Sequence, residues 1–449
     1  MSNSINTREI VLDMLLDVNK NHTPSHIITR ETLQKYQYLD KADRGFISKV
    51  FGGTIENQML IDYVINQFSK TPVNKMKPLI RYLLRMSCYQ ILFMDKTPDS
   101  AVCNEAVSIA KKRKFVNLAG FVNGVLRSIS RGKDSIVYPN KETDFEQYLS
   151  VMYSFPEWLV KQIREQYPNE TEAIIKASNT PPSGVSVRIN TNKTDKQTVI
   201  EKLESDNITV CQSQLYENAI VIKDFDYLEK IPAFLQGEII PQDVSSMLVG
   251  CIADPAEGDM CLDVCAAPGG KALHVAELLN NTGMVEARDV SLYKTDLIDE
   301  NISRLGFTNV TTRVFDATIE DDSIIEKFDV VIADLPCSGL GVISKKSDIK
   351  YNMTLDGENS LVELQRSILR NAVKYVKTGG TLIYSTCTIN KHENIDNFNW
   401  LKKEFGLQPC DISGYFSNGY HSDESKNGYI QFLPGDDGTD GFFISKFKK

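Results

Sequence analysis

Residues 260–279 read MCLDVCAAPGGKALHVAELL. The stretch opens as a short apolar strand, MCLDV (260–264), and turns through two alanines, a proline and two glycines. It then re-enters regular structure as a helix with an apolar face, ALHVAELL (272–279). Small residues let backbone approach a ligand closely, and the first turn of the next helix offers N–H groups that have no intrahelical partner. Working outward, the texture repeats. MVEARDV (284–290), VTTRVFDA (310–317), FDVVIAD (328–334) and TLIYSTC (381–387) read as strands, with helices at 291–305, 360–376 and 391–404. Apolar strands alternating with helices predict a parallel sheet covered on both faces, and such sheets bind ligands at the carboxyl ends of their strands.

Upstream of about residue 240 the pattern differs. GVSVRINT and NAIVIK read as short strands around a helix at 196–204, following the breaker Thr180-Pro181-Pro182, and predict a small α+β unit. PEWLVKQIREQY reads as a helix with Pro156 at its start, and residues 133–150 form a polar connector. Residues 1–132 read as all-helical. IVLDMLLDV (10–18), MLIDYVINQF (59–68) and LIRYLLRMSCYQILFM (79–94) carry apolar residues at helical spacing. Asp99 or Ser100 is expected to cap the helix of AVCNEAVSIAKKRKF, and FVNGVLRSI forms a further helix after Gly120. The expected organisation is therefore three domains: all-α over 1–135, a linker with a small α+β domain over 136–235, and an α/β domain over 236–449.

A chain of 449 residues is too long for a single core, which agrees with several domains. Its 42% hydrophobic and 24% charged residues exclude gross disorder and collagen-like repeats. No apolar run approaches the roughly 18 to 20 residues of a membrane span, and the opening MSNSINTREI lacks a secretory layout, so a cytoplasmic location is expected. The chain is also expected to be a monomer. Nine cysteines, an odd number scattered along the chain, predict reduced thiols rather than a disulfide framework. The histidines at 22, 26, 274, 392 and 421 are isolated from one another, and Cys261 and Cys265 have no second ligand pair, so no metal site is expected. The net charge of −9 argues against a polyanion partner, but its distribution reverses that impression. Residues 1–140 hold 20 Lys and Arg against 12 Asp and Glu, leaving 30 against 47 in the rest. Such asymmetry predicts that the helical part grips nucleic acid.

The strand ends carry the chemistry. The loop after the first strand is neither GxGxxG nor GxxxxGK[ST], so dinucleotide and nucleotide-triphosphate sites both fit poorly. Asp289, about twenty residues beyond the loop, is placed as a ribose-hydroxyl acceptor, and Asp316 as a partner for an adenine amino group. The last two strands end in Asp334-Leu335-Pro336-Cys337-Ser338-Gly339 and Ser385-Thr386-Cys387-Thr388. A cysteine is ordinarily a small buried apolar residue. Two at neighbouring polar strand ends suggest reactive thiols as readily.

DVCAAPGGK (263–271), ADLPCSGLG (333–341) and YSTCT (384–388), in that order, closely resemble the Sun/Nop family of RNA cytosine-C5 methyltransferases. QDVSSMLV (242–249) and VSVRIN (185–190) extend the likeness. The helical region 1–135 is similar to the NusB RNA-binding domain. The resemblance implies a NusB-like all-α domain, a small α+β domain of RRM-like type and a Rossmann-like methyltransferase domain using S-adenosyl-L-methionine. It implies that Cys265, Ala266, Ala267, Pro268, Gly269, Gly270 and Lys271 surround the methionine part of the cofactor. By the same likeness Asp289 and Asp316 hold its ribose and adenine sides, and Asp334 lies where cofactor and base meet. Cys387 then matches the nucleophile and Cys337 the cysteine linked to product release. A Pro-Cys nucleophile, as in DNA cytosine methyltransferases, would instead favour Cys337.

The implied substrate is a cytosine of small-subunit (16S) ribosomal RNA. Another RNA such as tRNA, or a non-catalytic RNA-binding assembly or antitermination factor, are the alternatives. Lys111, Lys112, Arg113 and Lys114, beside Phe115, with Arg81, Arg85, Arg127 and Arg131, are candidate RNA contacts, although a charge run is often only a solvated helix end. Residues Ser344 to Lys350 depart from a family pattern richer in Arg, His and Pro but keep Asp348-Ile349-Lys350, which puts the details of RNA contact there in question.

Overall fold

A computed structural model describes residues 5–21, 23–416 and 423–449. These fall into two compact units, Met1–Thr180 with Ile343–Asn352, and Pro181–Val342 with Met353–Lys449. His22 and His421 lie outside the described residues.

The first unit is helical: α1 (Thr7–Asn21), α2 (Ser25–Lys35), α3 (Lys41–Glu56), α4 (Gln58–Phe68), α5 (Pro78–Phe93), α6 (Asp99–Lys112), α7 (Val116–Gly132), α8 (Phe145–Met152), α9 (Glu157–Gln166) and α10 (Thr171–Ser178). No strand occurs among its described residues. Helix α5 is buried almost all round, from Ile80 to Ile91, which marks it as the central helix of the unit. It packs against α1, α3, α4, α6 and α7.

Two local expectations need correction. Neither Asp99 nor Ser100 caps α6: Pro98 takes the cap position without a side-chain bond. Asp99 stands in the first turn, where its carboxylate suits the helix dipole and accepts from Ser130 Oγ at 2.7 Å. Helix α7 begins at Val116, so Gly120 lies inside it. Helices α8 to α10 belong with the helical unit, and the units part at Thr180.

The segment Ile343–Asn352 belongs to this unit although its chain neighbours do not. Asp348 accepts from Ser25 N at 3.1 Å and Ser25 Oγ at 2.5 Å, and so acts as an N-terminal cap for α2 supplied from a distant part of the chain. Lys350 is fully buried. Its ammonium donates to Glu56 O (3.0 Å), Tyr153 O (3.2 Å) and Asn179 Oδ1 (2.9 Å) and lies over the Phe155 ring. Asp348 and Lys350 are thus internal ties of the helical unit rather than RNA contacts.

The second unit holds two sheets. The small one has the order β2 (Thr209–Gln212), β3 (Ala219–Lys223), β1 (Val185–Ile189) and β4 (Ile239–Pro241), all antiparallel, with α11 (Lys196–Ser205) between β1 and β2. The large one runs β7 (Val310–Val314), β6 (Met284–Asp289), β5 (Met260–Asp263), β8 (Phe328–Asp334), β9 (Val376–Thr386) and β12 (Phe442–Lys448). From β7 to β9 it is parallel, as the apolar alternation predicts. β12 joins antiparallel, and β10 (Gln408–Pro409) and β11 (Tyr429–Phe432) both pair with its far edge. These three strands were not expected from the sequence.

Candidate active site

The chain travels from β5 outward through β6 and β7, then returns to β8 on the other side of β5. The direction of winding therefore switches between β5 and β8, where the carboxyl ends of an open α/β sheet leave a crevice. The first loop lies at that switch. Gly269 sits at φ +102°, a conformation that strains any side chain, and leads directly into the helix Gly270–Leu278. Ala266 N donates to Arg288 O at 2.8 Å, and Ala267 N to Asp289 Oδ2 at 3.0 Å, which clamps the loop to the tip of β6. Asp289 also accepts from Val290 N (2.8 Å) and pairs with Lys294 (2.9 Å).

Asp316 takes both the backbone N–H and the hydroxyl of Thr318, which hold its carboxyl below the usual carboxylate range. Around these two carboxylates Val290, Leu292, Tyr293, Val314 and Ile319 are exposed. Exposed apolar residues at strand tips suit the faces of a planar base.

Asp263, at the end of β5, is buried, and its Oδ2 has no hydrogen-bond partner among the described residues. Burial, and then the charge of Asp334, push its carboxyl up to about 7. An orphaned buried carboxylate oxygen in a polar crevice calls for a cationic partner, and the ammonium of an amino-acid ligand fits that requirement. The residues present therefore fit S-adenosylmethionine. Asp263 would hold its amino group, the loop Cys265–Lys271 its methionine part, Asp289 its ribose, and Asp316 with the apolar rim its adenine. Cys265 itself is an inert liner, its thiol pushed up mainly by burial.

The two cysteines at the ends of β8 and β9 come together. Their Sγ atoms are 3.3 Å apart, and both side chains are partly exposed. Cys337 is driven far up from the usual thiol range by its hydrogen bond to Cys387, by burial, and by the charges of Cys387 and Glu393. Either sulfur can donate in this contact, and burial with the neighbouring charges favours Cys337 as the one that holds the proton. Lys271 does more than line the first loop. Its ammonium pairs with Asp334 Oδ2 at 2.8 Å and lies over the Phe442 ring; burial is the largest single influence and acts against its charge, but the charge and hydrogen bond of Asp334, with the charges of Asp263 and Cys387, together raise it. A fixed cation facing Cys387 favours a thiolate there. Ser385 Oγ donates to Asp334 Oδ1 at 2.8 Å, which fixes the plane of that carboxylate.

Residues absent from the sequence reading hold this arrangement. Glu393 is buried beneath both cysteine loops and accepts from Ser338 N (2.9 Å), Ser338 Oγ (2.5 Å), Gln365 Nε2 (2.8 Å) and Asn390 Nδ2 (3.1 Å). Gln365 also donates to Pro336 O (2.9 Å), Ser338 Oγ meets Thr388 Oγ1 at 2.7 Å, and Tyr384 OH donates to Glu393 O. The network ties the loop Pro336–Ser338 to the loop Cys387–Thr388. Burial raises the Glu393 carboxyl, and the donors around it oppose that shift. The run Asn390 to Asn394 directly after the second cysteine motif is the only sequence signal for this network. Read as an amphipathic helix start, it suggests solvent.

The candidate RNA residues divide. Arg85 must be withdrawn: it is buried, with a two-pronged pair to Asp62 (2.7 and 2.6 Å) and a bond to Gln58 (2.9 Å), so its charge is spent inside the helical unit. Arg81 bonds to Met76 O at 3.1 Å, Lys112 pairs with Glu9 and Arg113 with Asp13. Lys111 and Lys114 are exposed and make no ion pair among the described residues, and Arg127 and Arg131 are exposed at α7. Among the described residues no three His, Cys, Asp or Glu side chains gather as a metal site. No helix there is long and apolar enough to cross a membrane.

Three family models match the chain in order. They are the NusB family over residues 5–131, a ferredoxin-like domain of RsmF/B-like methyltransferases over 155–226, and 16S rRNA methyltransferase RsmB/F over 251–448. A probable ribosomal RNA small subunit methyltransferase B of Bacillus subtilis is 36% identical over 98% of both chains. One from Synechocystis is 30% identical over 99% of this chain and 100% of that one. Among solved structures, the crystal structure of PH0851 superposes with a TM-score of 0.83 at 27% identity, covering 99% of both chains. A match over the whole length, with all three domains in the same order, leaves one conclusion: the chain belongs to the RsmB/F family of ribosomal RNA small-subunit methyltransferases.

Proposed function

We propose that this protein methylates carbon 5 of a cytosine in 16S ribosomal RNA, with Cys387 as nucleophile. The observation that carries the reading is the pair of thiols 3.3 Å apart at neighbouring strand tips, beside the Lys271–Asp334 ion pair. Family membership supplies the RNA and the methyl donor; the site supplies the chemistry. Carbon 5 of cytosine is a poor nucleophile until a thiolate adds to carbon 6, breaks the aromaticity and makes carbon 5 enamine-like. Covalent catalysis of this kind divides one hard step into easier ones. S-adenosylmethionine, when bound, supplies the electrophilic methyl group.

This chain's residues divide the remaining work. Lys271 favours the Cys387 thiolate, and Asp334, its plane fixed by Ser385 and Lys271, is set to accept from the base's amino group and so orient the ring. Loss of the carbon 5 proton then expels the sulfur. Negative charge returns to Cys387 Sγ, where the S–H of Cys337 stabilises it, and this gives Cys337 its part in release. The same S–H bond favours Cys387 over Cys337 as nucleophile, because the residue that holds its proton is the weaker one.

Methyl transfer from labelled S-adenosylmethionine to 16S ribosomal RNA, mapped by bisulfite sequencing, is the direct test. A label on 16S RNA converted to 5-methylcytosine supports the reading. Label only on tRNA, or none on any RNA, refutes it.

A further inference from the structure

Cys337 and Cys387 also satisfy the requirements of a reversible oxidation site. Their loops leave adjacent parallel strands, paired in register as Asp334 with Ser385. Neighbouring strands lie about 4.8 Å apart, within the span a disulfide bridges between Cα atoms. The sulfurs, 3.3 Å apart, need to approach by only about 1 Å to reach bonding distance, a movement that side-chain rotation provides. Both residues are half-buried, whereas Cys88, Cys103 and Cys261 are fully buried. The surroundings of the two sulfurs differ in the right sense: the Lys271 ammonium favours negative charge on Cys387, and burial with the Glu393 carboxylate disfavours it on Cys337.

We infer that hydrogen peroxide or an organic hydroperoxide converts Cys337 and Cys387 into a disulfide that reversibly blocks the site. In the first step the Cys387 thiolate attacks the terminal peroxide oxygen, the O–O bond breaks, and Cys387 becomes a sulfenic acid with loss of hydroxide, or of alkoxide from an organic hydroperoxide. In the second, the Cys337 sulfur attacks the Cys387 sulfur. The S–O bond breaks, an S–S bond forms, and the Cys337 proton leaves with the departing oxygen as water. Once the proton that Cys387 lost on ionising neutralises the released hydroxide or alkoxide, two thiols have given up two electrons, and hydrogen peroxide has become two waters, or an organic hydroperoxide one alcohol and one water. A dithiol reductant reverses the change. The Glu393 network holds the two loops in register and so favours closure of the pair over further oxidation of Cys387 to the irreversible sulfinic acid.

The disulfide itself needs no assumption about the reaction, but its effect on methylation rests on Cys387 being the nucleophile. The full-length protein is therefore treated with hydrogen peroxide, alkylated and mapped by mass spectrometry, with exposed Cys211 as an internal gauge of oxidant strength. The expected result is a linked Cys337–Cys387 peptide lighter by two hydrogens, formed at or below the dose that oxidises Cys211 and removed by dithiothreitol. In Cys337→Ser the link is absent, and the Cys387 peptide instead gains oxygen that dithiothreitol does not remove. Alkylatable Cys337 and Cys387 at doses that oxidise Cys211, or sulfinic acid on Cys387 of the unaltered protein without a link, overturn the proposal. A linked peptide together with unchanged methyl transfer would refute the assigned nucleophile and leave the disulfide standing.

Discussion

Under the proposed reading, four side chains at the site have separable roles. Cys387→Ala is expected to abolish methyl transfer and to form no covalent complex, whereas Cys337→Ala accumulates an enzyme–RNA adduct resistant to denaturation, because the departing sulfur loses its hydrogen-bond donor. Denaturing gel electrophoresis with labelled RNA reads both, and an adduct from Cys387→Ala would exchange the assignments. Asp334→Asn keeps the shape but loses the charge that pairs with Lys271. Turnover is expected to fall on the order of 10²-fold with RNA affinity little changed, measured as kcat against KM. Asp263 yields a pH prediction. Its carboxyl, raised to about 7, is neutral below that pH and charged above it, and a cationic amino group binds the charged form. Affinity for S-adenosylmethionine, measured by calorimetry, should therefore rise with pH through about 7 and level off above. The variant Asp263→Asn should bind more weakly and lose that dependence.

At the scale of elements, the two cysteine-bearing loops are short and contain small residues, yet they are held by a network drawn from the helix Leu355–Tyr375, the tip of β9 and the turn Asn390–Asn394. Removing Glu393 would take the acceptor of the buried Ser338 N–H and one acceptor each from the Gln365 and Asn390 amides, which keep Pro336 O and Glu358. Glu393→Ala is accordingly expected to cost about 2–4 kcal/mol of stability, seen as a lower Tm or denaturation midpoint. Glu393→Gln preserves volume and part of the bonding. It should retain the fold and cofactor binding while lowering kcat, which distinguishes a positioning role from a purely structural one. The strands that carry the site were legible because buried parallel strands must be apolar runs ending in turn residues. β10 and β11 were not. They are short edge pieces whose only requirement is pairing with β12, and pairing partners leave little trace in local sequence.

For the molecule as a whole, the basic excess of the first 140 residues remains the feature that points to RNA, but it is not spent evenly. Arg85 is internal, Lys112 and Arg113 are paired, and Lys111 and Lys114 are the exposed cations of the α6 end without ion-pair partners among the described residues. Reversing Lys111 and Lys114 to Glu should weaken RNA binding and flatten the slope of log affinity against log salt by about 2, read by filter binding over a salt series. An unchanged slope would remove that surface from the interface.

The sequence alone determined the α/β sheet and the helical first unit, and it placed the glycine-rich first loop, Asp289, Asp316, Asp334 and the two cysteines at strand ends, because each rests on local periodicity or on a contiguous motif. Tertiary structure decided what depends on residues distant in sequence: the sulfur-to-sulfur contact, the turn of Lys271 towards Asp334, the Glu393 network, the internal fate of Arg85, and the capture of Asp348 and Lys350 by the helical unit. A buried charge and a solvated one have the same letter in the sequence. Only the partner brought to it by folding determines whether that charge ties the structure together or remains available to a ligand.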